Sequence, residues 1–166
     1  MSHSDNATVV ATSKGHQMKH HLETQIDIAA SPDTVWGILT DLEAYSDWNP
    51  FIVSAEGNVT VGERLANRMQ TPGGKAMTFK PTVTVADPSQ KFEWLGRLGL
   101  PGIFDGRHSF ELEATETGTR VVHSEHFNGV LVRFMRKMVD NGTRQGFEEM
   151  NAALKTRAEA QAGNTP

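Results

Sequence analysis

Ala30-Ser-Pro-Asp-Thr-Val-Trp-Gly-Ile-Leu-Thr-Asp-Leu-Glu-Ala-Tyr-Ser-Asp-Trp-Asn-Pro50 is the stretch that decides how this chain folds. Ser31 can cap a helix, Pro32 suits the first helical position, and Asp33 favours the positive end of the helix. Val35, Ile38, Leu39 and Leu42 recur at helical spacing, which makes one face apolar. Trp36 and Trp48 bracket a second short turn. Trp48-Asn49-Pro50 ends it, because the residue before proline is pushed out of the α region. A strand-like run, Leu22 to Ile28, leads in, and another, Phe51 to Ala55, leads out. A strand, two short helices and then more strands is an unusual order.

Downstream, strands are separated by strong turn signals. Glu56-Gly57-Asn58 follows the second strand, and Pro72-Gly73-Gly74 ends a third that runs from Glu63 to Thr71. Lys75 to Ala86 places Met77, Phe79, Val83 and Val85 on one face, with Pro81 marking an edge or bulge. Gln90 to Leu98 alternates Phe92, Trp94 and Gly96 against Lys91, Glu93 and Arg97, whose charges predict a solvated outer face. Arg107 and Asp105 are assigned to that outer face too. Phe104 to Ala114 carries His108, Phe110 and Leu112 on one side, and Thr115 to Gly118 turns it into a last strand, Thr119 to Phe127.

From about Val130 to Ala160 the period becomes helical. Leu131, Phe134, Met135, Met138, Gly142, Gly146, Met150, Ala153 and Leu154 form one broad apolar stripe. An antiparallel sheet with one apolar face must be covered, and only this helix is long enough to do it. The predicted class is therefore α+β. A curved antiparallel sheet of six to seven strands wraps around a long C-terminal helix, with two short helices after the first strand. Residues 1–18 are expected to be a disordered tail, 19–161 one domain, and 162–166 a second disordered tail.

Composition narrows the function classes. The chain has 166 residues and a net charge of −4, which argues against phosphate-backbone binding, since that needs a basic stripe. No run approaches the roughly 18 apolar residues of a membrane-spanning helix. Zero cysteines exclude disulfides, thiolate metal sites and a cysteine nucleophile. The N-terminal stretch lacks the hydrophobic region of a signal peptide, so a cytoplasmic location is expected. Gly-x-Ser-x-Gly, Gly-x-Gly-x-x-Gly and the P-loop do not occur.

The order of elements, Ser31-Pro-Asp-Thr-Val-Trp36, Asp41-Leu with Trp48-Asn-Pro50, and the run from Trp94 to His108 together resemble the SRPBCC superfamily. This is the helix-grip or START-like fold, shared by polyketide cyclase/dehydrase-like proteins, lipid-transfer START domains and birch-pollen-type allergens. The resemblance spans roughly residues 20–160. It implies a cavity between sheet and helix that takes a hydrophobic ligand, and some members are cyclases, oxygenase subunits or hydrolases. The fold alone does not choose among these.

The Thr115–Gly118 hairpin sets a register that can be counted. If Leu112 faces Val121, then Phe110 faces His123 and His108 faces Glu125. A similar count through Gly99–Gly102 puts Trp94 beside His108 and Phe92 beside Phe110. The predicted ligand-binding set is Phe92, Trp94, His108, Phe110, His123 and Glu125 from the sheet, with Met138, Gly142 and Gly146 from the helix. An apolar wall with a few convergent polar groups is the usual make-up of a small-molecule site. His108 beside Glu125 is the candidate catalytic pair, because a carboxylate fixes the imidazole tautomer and raises its basicity. The same pair also serves a purely structural role if each satisfies the other's buried hydrogen bonds. Gly142 and Gly146 lie one turn apart on the helix stripe, where they either admit close approach of the sheet or leave volume for a ligand. The ligand reading is preferred. No metal motif matches, so neither a metal nor a cofactor is expected.

The leading function is binding of a small hydrophobic ligand of lipid, aromatic or polyketide-like character. A cyclase or dehydratase using His108 with Glu125 as general base is the alternative. A third reading is a protein-interaction module with a filled cavity, and a homodimer is a partner the sequence allows.

Overall fold

Ser31 caps α1 (Pro32–Thr40) through its Oγ, which accepts the Thr34 N–H at 3.2 Å. Val35, Ile38 and Leu39 form its buried face. A 3-10 turn (Leu42–Ala44) then leads into α2 (Tyr45–Trp48). Asn49 stops that helix and starts the next strand, since its Oδ1 accepts the N–H groups of Phe51 and Ile52 at 3.0 and 2.8 Å. Tyr45 ties the two helices by donating to the Leu39 carbonyl at 2.7 Å. The two tryptophans are scaffold: Trp36 meets Phe92 edge-on, and Trp48 meets Tyr45 the same way.

The computed structural model describes residues 19–132, 134 and 142–163. The remaining elements are β1 (Lys19–Ile28), β2 (Ile52–Glu56), β3 (Ala66–Met69), β4 (Met77–Phe79), β5 (Thr82–Asp87), β6 (Lys91–Arg97), β7 (Asp105–Thr115), β8 (Gly118–Asn128) and α3 (Arg144–Gly163). A five-stranded antiparallel sheet runs β1-β8-β7-β6-β5, and a three-stranded one runs β2-β3-β4. The segment before β3 joins them. Gly62 and Leu65 donate to the Val83 and Pro81 carbonyls, both at 2.9 Å, and Arg64 bridges Thr82. The result is one curved surface closed over by α3, the helix-grip arrangement. The strand count differs from the six to seven expected, because Pro81 splits the Lys75–Ala86 run into β4 and β5.

The counted register is the observed one. Leu112 lies opposite Val121, Phe110 opposite His123 and His108 opposite Glu125. Trp94 lies opposite His108 and Phe92 opposite Phe110. In α3 the residues facing the sheet are Gly146, Phe147, Met150, Asn151, Leu154 and Ala158. Lys155 and Glu159 pin the helix to the end of β1, through the Asp27 carbonyl at 2.7 Å and the Ala29 N–H at 2.9 Å.

Several expectations are corrected. Leu131 and Phe134 are 36% and 81% exposed, so the buried apolar stripe does not reach back to them. The helix runs on to Gly163, two residues past the expected domain end at 161. Glu93 points to the outer face yet is buried, covered by Arg107 and Lys91, which contact it at 2.7 and 3.3 Å. Asp105 turns back to accept the Gly102 N–H at 3.1 Å rather than facing solvent. Met135, Met138 and the 1–18 segment lie outside the described residues.

Candidate functional site

A cavity of about 180 Å³ opens beneath the curved sheet. Its wall is mostly apolar: Phe51, Met69, Phe79, Trp94, Phe104 and Phe127 contribute most of it. Asn67, His108 and Glu125 converge on this wall, with the hydroxyls of Thr71 and Thr143 beside them. Lys75, Met77 and Arg97 line it as exposed residues, which corrects the assignment of Arg97 to a purely outer face. Arg97 Nε lies 3.6 Å from Asp105 Oδ1.

The polar groups are held by unusual packing. His108 is buried and stacks on Trp94, with ring centroids 4.5 Å apart and planes 7° from parallel. Its Nε2 is 2.8 Å from His123 Nε2, and its Nδ1 is 3.4 Å from Glu125 Oε2. That second contact does not reach hydrogen-bond geometry, and Nδ1 has no hydrogen-bond partner among the described residues. His123 is fully buried, stacks on Phe147 at 3.7 Å and 9°, and hydrogen-bonds Asn151 through Nδ1 at 2.9 Å. Gly106 makes room for Glu125, since a Cβ there would stand 2.6 Å from Oε1. Asn67 is 2% exposed, and its Oδ1 has no partner among the described residues. Buried polar atoms of this kind normally find partners.

Burial controls the protonation of the pair. It lowers His108 to about 3 and raises Glu125 to about 8. His123 is also pushed well below the usual histidine range, first by burial and then by neighbouring His108. At neutral pH the wall therefore carries the neutral His108 imidazole and a protonated Glu125 carboxyl, with neutral His123 behind it. The acid–base weight of the pair shifts from His108, a weak base at that value, to Glu125, whose value lies close to neutral.

Of the predicted ligand-binding residues, Trp94, His108 and Glu125 line the cavity. Phe92, Phe110 and His123 are packed in the core behind it and do not. Gly146 is corrected outright. A Cβ there would lie 2.2 Å from the Phe51 ring, so this glycine serves close approach rather than ligand volume. Gly142 likewise runs against Thr71, 3.3 Å from where its Cβ would be. Met138 lies outside the described residues. Missed by the sequence reading is Asn67, along with Phe147 and Asn151 beside His123. Phe147, Met150, Asn151 and Leu154 follow the i, i+3, i+4, i+7 pattern, and that signal would have found the last two. Among the described residues no group of three or more His, Asp or Glu side chains is arranged to hold a metal ion.

A family model described as polyketide cyclase / dehydrase and lipid transport matches residues 19–159. Solved structures with the same fold include the Zhui aromatase/cyclase from Streptomyces sp. R1128. It is 16% identical, with a TM-score of 0.73 over 90% of this chain and 100% of that one. The di-domain aromatase/cyclase StfQ of the steffimycin biosynthetic pathway is 16% identical, with a TM-score of 0.70 over 87% of this chain and 52% of its own. A Staphylococcus aureus protein of unknown function, SA2116, is 15% identical, with a TM-score of 0.68 over 90% of this chain and 99% of its own. None of the curated protein sequences matches the chain. At these identities the likenesses establish the fold.

Proposed function

Because the chain belongs to the polyketide cyclase/dehydrase and lipid transport family, we propose that it binds a small, mainly apolar, ring-containing molecule in the cavity between β6, β7, the β3–β4 hairpin and the start of α3. One observation carries this reading. The cavity is lined mainly by aromatic and thioether side chains, yet Asn67 Oδ1 and His108 Nδ1 stand on its wall without partners among the described residues. A volume of about 180 Å³ suits a compound of about one substituted ring, since an apolar cavity of about 150 Å³ takes benzene. Lys75, Met77 and Arg97, which line the cavity and are exposed, mark its open side.

A second reading, proton transfer on the bound ligand, is favoured by the Glu125–His108 pair. A carboxyl raised to about 8 by burial can protonate a carbonyl or a leaving hydroxyl held against it. Native mass spectrometry of freshly purified protein separates the readings. A co-purified aromatic compound that leaves unchanged supports binding. Conversion of that compound, lost on Glu125→Gln while affinity persists, supports catalysis. Protein that carries no compound and takes up no aromatic ligand overturns both.

A further inference from the structure

Thr24, His123 and Asn151 do not line the cavity, yet they form a directed hydrogen-bond chain that ends on it. Its direction follows from the one member that can only accept. The His123 carbonyl takes the Thr24 hydroxyl proton at 3.4 Å. Thr24 Oγ1 then receives the Asn151 amide N–H at 3.0 Å. That turns Asn151 Oδ1 toward His123 Nδ1, 2.9 Å away, so Nδ1 carries the proton. Neutral His123 keeps its lone pair on Nε2, and His108 must donate from Nε2 across the 2.8 Å contact. His108 Nδ1 is left bare on the cavity side, facing the Glu125 carboxyl at 3.4 Å.

The reversed chain is worse at its Thr24 end: Asn151 would present its amide N–H to His123, Thr24 would turn its hydroxyl to the Asn151 oxygen, and the His123 carbonyl would lose the Thr24 proton. Stacking on Trp94 and Phe147 holds both imidazole planes in place.

We infer that Asn151, anchored by Thr24, is a positioning residue that sets the tautomer of His108 through His123, so that the cavity presents a bare imidazole nitrogen and selects a ligand whose polar atom donates a hydrogen bond. The ligand half of this rests on the cavity-binding function above; the tautomer half stands on the chain alone. The test is two-bond proton–nitrogen NMR of histidine-labelled protein, with His108 assigned through His108→Gln. Wild type shows the proton on Nε2 of His108 and on Nδ1 of His123. Asn151→Asp, which keeps the acceptor, retains that pattern. Asn151→Leu moves both protons to the opposite nitrogens. Thr24→Val, which only releases the amide, gives both tautomers and tests the same point if the leucine variant does not fold.

Phenol and its methyl ether anisole then probe the ligand half. Wild type prefers phenol by about tenfold, the scale of one buried hydrogen bond, and Asn151→Leu loses that preference. A His108 proton on Nδ1 in wild type, or tautomers unmoved in both Asn151→Leu and Thr24→Val, overturns the inference. Correct tautomers with neither compound bound leave the chain standing and overturn the ligand-cavity function. Binding of both compounds without preference overturns the selection alone.

Discussion

Stability peaks near pH 6.5 and falls on both sides, more steeply toward acid. His108 is held at about 3 by burial against an ordinary 6.5, so the folded protein binds fewer protons than the unfolded chain between those values. Stability is therefore lost as pH drops from 6.5 toward 3, on the order of 4 kcal/mol from this residue alone. His123, shifted the same way, adds to the loss. Glu125 has the opposite sign. Its folded value of about 8 exceeds the ordinary 4.5, so the folded state holds a proton that the unfolded chain has released. Stability contributed by that proton declines as pH rises from 4.5 to 8. Between 4.5 and 6.5 the histidines outweigh the one carboxyl, with His126, also held low by burial, adding to His108 and His123. Above 6.5 only Glu125 remains, and the fall amounts to about 2 kcal/mol by pH 8. Urea denaturation across this range checks the curve. Glu125→Gln flattens the alkaline side and steepens the fall between 6.5 and 4.5, where the carboxyl opposes the histidines; equal alkaline slopes in both proteins contradict the burial of that carboxyl.

Phe147→Ala is the second large effect, a loss of about 3–5 kcal/mol in unfolding free energy. The ring is fully buried, lies flat on His123 and meets Phe51 and His108 edge-on. Removing it empties volume in the centre of the core and frees the His123 plane on which the hydrogen-bond chain depends. Phe147→Leu, which keeps more of the volume, loses less. A loss below about 1 kcal/mol in the alanine variant, on the scale of a surface change, contradicts the central place given to this ring.

What was legible in the sequence was the part with period. Long strands with alternating side chains and a four-residue turn at Thr115–Gly118 permit a register count, and His108, Glu125 and Trp94 fall where that count puts them. In the β3–β4 hairpin the alternation of Met77 and Phe79 was readable, but Asn67, a polar residue in a strand of four, carries no sequence signal that it lines the cavity. Glycines on the helix stripe were ambiguous by nature. Close approach and empty volume both require a missing side chain, and only the neighbour, Phe51 at Gly146, decides between them. Asn151 was readable as the one polar residue on the buried face of α3, and its meaning came from the histidine opposite. The roles of His108 and Glu125 were assigned by residue type, whereas burial rather than type sets which of them holds a proton.

Gly96 provides the most direct test of the central claim that the cavity is a ligand site. It lines the cavity from β6, and a Cβ there would meet only ordinary contacts, the Gly106 carbonyl at 3.7 Å and Pro81 at 3.9 Å. Gly96→Leu therefore fills the cavity while leaving the backbone in place. Calorimetric titration with phenol, run on wild type and on a Gly96→Leu protein of matched thermal stability, is the measurement. The account predicts saturable one-to-one binding by wild type, weakened at least tenfold in the filled variant, on the scale of one lost buried contact. Equal binding by both proteins would contradict it.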